Sequence, residues 1–122
     1  MTIRVLLVDD EPMFLEALRA LLDHDDRVEV AGATSDGEAA IELADRVHPD
    51  VVLLDLAMPG MSGFELTRKL LAAAPALRVV AVSGLSHESA ASKALEAGAT
   101  SFLMKGGLYS EVAEAIVVAA AT

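Results

Sequence analysis

Residues 50–63, DVVLLDLAMPGMSG, run four apolar side chains straight into the carboxylate of Asp55 and then into a Pro-Gly turn. Residues 5–10, VLLVDD, repeat the device with two carboxylates, Asp9 and Asp10. Burying an ionised carboxylate alone is costly, because nothing replaces its hydration. Carboxylates crowded together also repel one another. A hard divalent cation and an ammonium group relieve both problems. Mg2+ suits such a cluster: it prefers an octahedron of oxygens, usually with one or two protein carboxylates and several waters, which leaves positions for a phosphate. Lys105, in FLMKGG, offers the ammonium, and Ser83, in AVSG, offers a hydroxyl. Together these residue types point to phosphate chemistry beside a metal ion.

Taken singly, each has a plainer reading. Asp9 and Asp10 stand where they can cap a helix, and Asp55 suits a turn. Ser83-Gly84 reads as loop chemistry, and Lys105 as a solvated charge. Their joint arrival at one edge of the fold separates the two readings.

Short apolar runs alternate with helical patterns. Strands are expected at Ile3–Val8, Val28–Ala33, Val51–Leu54, Leu77–Val82 and Thr100–Met104. Val79-Val80-Ala81-Val82 lacks in–out alternation, as in strands covered on both faces of a parallel sheet. Phe14, Leu18, Leu21 and Leu22 form one helical stripe, and Pro12 suits the first turn of that helix. Ser35 and Glu38 have capping-box spacing for the second helix, as do Ser62 and Glu65 for the third. The fourth is expected to open at Ser86 and end near Gly98, a C-terminal glycine. Val112, Ala115, Ile116 and Ala119 give the fifth its stripe, with Val117 and Val118 read as part of a broad buried face in preference to a dimer or interdomain contact. Five strand–helix pairs imply a doubly wound α/β sandwich. Ligands of such sheets sit beyond the carboxyl ends of the strands. Asp9 and Asp10, Asp55, Ser83 and Lys105 all fall there.

Length and composition set bounds. The 122 residues allow one domain. Without cysteine there is no disulfide framework and no Cys-based zinc site. The formal charge of −10 opposes nucleic-acid binding by this domain, and Phe14, Phe64, Phe102 and Tyr109 are too few for base stacking. No apolar run approaches the roughly 20 residues of a membrane span, and no signal peptide is read before the first strand. His24, His48 and His87 have no metal-ligand spacing and read as solvated or loop residues. GAT at residues 98–100 lacks the Lys-Ser/Thr of a phosphate loop.

With these residues placed, the chain closely resembles the receiver domain of two-component response regulators, in the NarL/LuxR-like subgroup. The likeness covers essentially all 122 residues and rests on LLVDDEP, VVLLDLAMPGMSG, AVSG and FLMKGG. It implies a (βα)5 flavodoxin-like fold with strand order 2-1-3-4-5. Asp55 would be the phosphoacceptor, taking a phosphoryl group from the phosphohistidine of a sensor histidine kinase, and would also face the metal. Asp10 would bind Mg2+ directly, Asp9 partly through water, and Ala57 through its backbone carbonyl. Lys105 would pair with Asp55 and then with the phosphoryl group, which Ser83 would hydrogen-bond. Ser83 and Phe102 would be the switch residues, altering the face of the fourth helix, fifth strand and fifth helix. That face would meet an output domain or a second copy.

The resemblance also implies a transcription regulator, in which residues 1–122 would be the receiver and a C-terminal helix-turn-helix output domain would lie outside this chain; the lack of cysteine favours the cytoplasm. No external turnover is expected, only phosphorylation and dephosphorylation of Asp55. Three features depart from the family pattern. Phe102 replaces the commoner Tyr, and Gly106-Gly107 replaces a frequent Pro, predicting a looser loop after Lys105. Ala57 and Leu85 are apolar at positions that tune hydrolysis. Two rivals remain open at this point. One is a receiver-like binding module that works without phosphate; such domains typically lack an acidic residue, the acceptor or the Lys, all present here. The other is a phosphohydrolase, but Asp55-Leu56-Ala57 lacks the second Asp expected in haloacid-dehalogenase-like enzymes.

Overall fold

Along β1 (Ile3–Val8) the side chains alternate between two cores rather than between core and water: Val5 and Leu7 face one, Leu6 and Val8 the other. A strand covered on both faces has no wet side, which is why the apolar runs show no in–out pattern. In the computed structural model, which describes residues 2–84 and 88–122, β1 lies between β2 (Val28–Thr34) and β3 (Val51–Asp55). Outward from β3 follow β4 (Arg78–Ser83) and β5 (Ser101–Met104). Every pairing is parallel, in the expected order 2-1-3-4-5.

Helices close both faces. On one, Leu18 and Leu22 of α1 (Pro12–Leu22) and Val112 and Ile116 of α5 (Leu108–Ala120) pack on Val5, Leu7, Leu53 and Val80. On the other, Ala40 of α2 (Gly37–Val47), Leu66 and Leu70 of α3 (Gly63–Ala73) and Ala94 of α4 (Glu88–Ala97) cover Leu6, Val8, Leu54 and Val79. Each fully buried leucine contributes roughly 1.5–3 kcal/mol relative to an exposed one. No helix among the described residues is long and apolar enough to cross a membrane.

Pro12 opens α1 as expected. Ser62 caps α3, its hydroxyl accepting the Glu65 N–H at 3.2 Å. Gly98 ends α4 at φ +113°, and the Ala99 N–H donates back to the Ala94 carbonyl at 2.9 Å, a turn that suits glycine. The expected opening at Ser86, with the readings of Leu85 and His87, lies outside the described residues. His24 and His48 are exposed as expected.

Several expectations are corrected. Asp36, not Ser35, caps α2, accepting the Ala39 N–H at 3.0 Å; its charge also complements the helix N-terminus. Val118 is 59% exposed, so the buried face of α5 is narrower than its composition suggested. Asp55 and Ser83 are the last residues of their strands rather than the first beyond them, because pairing with Val82 and Met104 continues the ladder. Lys105–Gly107 form a 3-10 turn leading directly into α5, rather than a loose loop.

Candidate functional site

The carboxyl ends of four strands converge. Asp9 and Asp10 leave β1, Asp55 ends β3, Ser83 ends β4, and Lys105 follows β5. Asp9 and Asp55 are 2% and 4% exposed, as deep as the aliphatic core. Asp10 is only half-buried. The carboxylates of Asp9, Asp10, Asp55 and a fourth residue, Glu11, have oxygens all within 4.8 Å of one another.

Lys105 answers that crowding. Its Nζ lies 3.0 Å from Asp9 Oδ2 and 3.4 Å from Asp55 Oδ2, and it also pairs with Glu11 Oε1. Backbone groups fix the opposite oxygens. The Ala57 N–H donates to Asp55 Oδ1 at 3.0 Å, and the Glu11 N–H donates to Asp9 Oδ1 at 2.9 Å. Asp9 thus holds the residue that precedes α1 while also serving the cluster, but it does not cap that helix, as its plainer reading expected: the N-cap is Glu11 and carries no side-chain cap. Ser83 is 2% exposed, and Gly84 beside it follows the lysine stem: a Cβ there would stand 3.9 Å from Lys105 Cδ.

Phe102 is half-buried on β5, in register with Ala81, and is not among the described side chains that meet the Lys105 ammonium. Two residues that do meet it were missed by sequence reasoning. Glu11 was given no role of its own, although its place directly after the acidic pair was a signal. Phe14 looked like core stripe, yet its ring centroid lies 4.4 Å from Lys105 Nζ, within cation–π range.

Burial dominates the electrostatics. It raises the Asp55 carboxyl above its ordinary 3.8; the Ala57 N–H opposes this, Asp9 adds to it, and Lys105 offsets it. Asp9 is raised for the same first reason, against the Glu11 N–H and Lys105. Burial alone would lower Lys105, but the carboxylates of Glu11, Asp9 and Asp55 outweigh it and hold the ammonium well above its ordinary value.

A carboxyl raised in the fold binds protons that the unfolded chain has already lost, so its ionisation weakens the fold as pH rises through the raised value. Metal-free Asp55→Asn is accordingly expected to melt a few degrees above the wild type at neutral pH. That advantage should shrink as pH falls toward 3.8. An advantage constant with pH in calorimetry would mean that packing, not ionisation, distinguishes the variant.

The donor set fits Mg2+: it is all oxygen, anionic, partly exposed through Asp10 and Glu11, and adjacent to a fixed cation. Such an arrangement can hold a hard divalent ion and stabilise charge on a phosphate from two sides.

Comparison with known proteins gives a consistent picture. The family profile described as response regulator receiver domain matches residues 5–117. The response regulator GacA of Pseudomonas viridiflava is 39% identical over 114 residues, covering 93% of this chain and 53% of the relative. The nitrate/nitrite response regulator protein NarL of Escherichia coli K12 is 38% identical over 117 residues, covering 96% and 54%. A two-component response regulator of the LuxR family from Aurantimonas sp. SI85-9A1 superimposes with a TM-score of 0.94 at 32% identity, over 99% of this chain and 86% of that one. The chain thus spans about half the length of the curated relatives it matches.

Proposed function

The chain belongs to the response regulator receiver domain family, and from that premise we propose that it is a phosphorylation-controlled switch whose acceptor is Asp55. The observation that carries this reading is the asymmetric hold on the Asp55 carboxylate. Oδ1 is tied to the Ala57 N–H, while Oδ2 faces the Lys105 ammonium at 3.4 Å. Oδ2 is therefore the oxygen directed at an incoming phosphorus.

In the proposed step, the P–N bond of a kinase phosphohistidine breaks as the Asp55 Oδ2–P bond forms, and the departing imidazole takes a proton from solvent. Asp55 attacks as the carboxylate and gives up no proton. Lys105 stays protonated, so it works by charge and not as a base. It stabilises the equatorial phosphoryl oxygens while the buried Ser83 hydroxyl donates to one of them. Mg2+, when held by Asp10, Asp9, Asp55 and the Ala57 carbonyl, supplies further neutralisation of that charge. Water later hydrolyses the acyl phosphate at Asp55, and no external substrate is turned over.

The same reading extends to the switch. Ser83 and Phe102 shift with the phosphoryl group, and the face formed by α4, β5 and α5 changes shape. Leu95, Met104 and Tyr109, exposed at 52%, 39% and 49%, supply apolar contact area there. The partners in this reading are a sensor histidine kinase and an output domain or second copy. For the whole protein it gives DNA-directed transcription control in the cytoplasm, with no DNA contact by this acidic domain itself.

Incubation with acetyl phosphate and Mg2+ tests the proposal by intact mass. One phosphoryl adduct is expected on the wild type and none on Asp55→Asn. An unmodified wild type, where a control receiver reacts, would favour a binding module that works without phosphate.

A further inference from the structure

Lys105 is held chiefly from one side. Of its contacts, Asp9 and Glu11 come from the segment joining β1 to α1 and the Phe14 ring from the first turn of α1, and the Asp55 oxygen is farther away than Asp9's. The two carboxylates on that side differ in kind. Asp9 is 3% exposed at its side chain and pinned by a backbone N–H, so it stays where it is. Glu11 is 64% exposed at its side chain, and an exposed ion pair of this sort opens readily. Glu11 also places a negative charge beside a pocket that, on the reading above, must admit an anionic phosphoryl donor.

We propose that Glu11 is a positioning residue for phosphoryl transfer: with the Phe14 ring it keeps the Lys105 ammonium on the α1 side of the pocket, and this latch opens as the ammonium moves to the phosphoryl group. The inference rests on Asp55 being the acceptor. It goes further by assigning control of Lys105, and hence of the transfer rate, to a residue outside the acceptor set. No bond is made or broken at Glu11; the donor's bond to phosphorus, P–N in phosphohistidine and P–O in acetyl phosphate, breaks as the Asp55 Oδ2–P bond forms, whichever residue Lys105 contacts.

Two measurements on Glu11→Gln test it. With acetyl phosphate and Mg2+, the phosphorylation rate is expected to rise about twofold to fivefold, as suits the loss of one exposed ion pair that must open before transfer. Glu11→Asp, which keeps the charge but shortens the reach, should fall between wild type and Glu11→Gln. Glu16→Gln, removing an exposed charge elsewhere on α1, should leave the rate unchanged. By NMR of the metal-free, unphosphorylated protein, the Lys105 ε-methylene protons should be shifted upfield by the Phe14 ring, and Glu11→Gln should largely abolish that shift.

An unchanged rate, an equal acceleration in Glu16→Gln, or ε-methylene protons indifferent to Glu11→Gln would each overturn the latch. An adduct on the wild type with any of those outcomes removes only this inference. A wild type that takes no adduct removes the acceptor reading and the latch together.

Discussion

Gly63→Ala is expected to lower the unfolding free energy by about 3 kcal/mol, at the upper end of the usual overpacking range, and the melting temperature by roughly 10 °C. Gly63 is the first residue of α3 and is buried under the segment that carries the acceptor. A Cβ there would stand 2.4 Å from Leu56 Cα and 2.7 Å from the Asp55 carbonyl oxygen. Both neighbours are backbone, so no rotamer change can make room. The Gly63 N–H also donates to the Leu56 carbonyl at 3.0 Å, which ties the helix start to the strand end. Moving apart would break that bond and displace Asp55 from Lys105, so the phosphorylation rate should fall with the stability. Gly106→Ala is the matched control, because a Cβ at Gly106 meets nothing within 4 Å. Denaturant melts and acetyl phosphate kinetics on both variants decide the matter. A Gly63→Ala protein as stable and reactive as Gly106→Ala would mean that α3 does not seat the acceptor.

That close approach was invisible in the sequence, where SG before a helix reads only as a cap. The sequence shows what each segment wants locally. Strands that end in carboxylates were legible because apolar runs and charges follow different rules, and Ser62 was legible because cap chemistry is local. The strand order came from family likeness, since periodicity is silent about which strands are neighbours. Long-range partners were hidden for a related reason. Glu11 lies 94 residues from Lys105, and nothing in EPMF says that a glutamate at a polar helix start will reach back over the pocket. Phe14 was correctly given to the inner stripe of α1, but one ring can serve both a core and a cation. Val118 shows the converse error: apolar composition overstated burial on a helix whose inward side was already filled by Val112, Ile116 and Ala119.

The largest electrostatic effect should come from Lys105→Met, which keeps an unbranched apolar stem and deletes the cation. Asp9 and Asp55 are 3% and 4% exposed at their side chains, and Lys105 is 17% exposed. Removing one partner of a buried ion pair commonly costs 3–5 kcal/mol, because the remaining charge is left uncompensated. Here the carboxylates can take up protons instead, so a loss of about 2–4 kcal/mol is expected at neutral pH. Its pH dependence has a definite sign. Without the ammonium, the Asp9 and Asp55 carboxyls rise further above 3.8, and the deficit should shrink as pH falls through those raised values toward the ordinary one. On the alkaline side, the wild-type lysine is raised above 10.5, so its stabilising contribution is complete below that pH and is lost only as pH climbs through the raised value. The gap between the two proteins should therefore be widest from neutrality to about 10.5. Added Mg2+ should narrow it, since a ligand at 100 times its Kd stabilises by about 2.7 kcal/mol. Phosphorylation should slow roughly 100-fold to 1000-fold, the usual effect of losing one stabiliser of transition-state charge. A deficit that is flat from acid to alkaline pH would show that the lysine acts through packing of its stem against Phe14, and the electrostatic account of the pocket would fail.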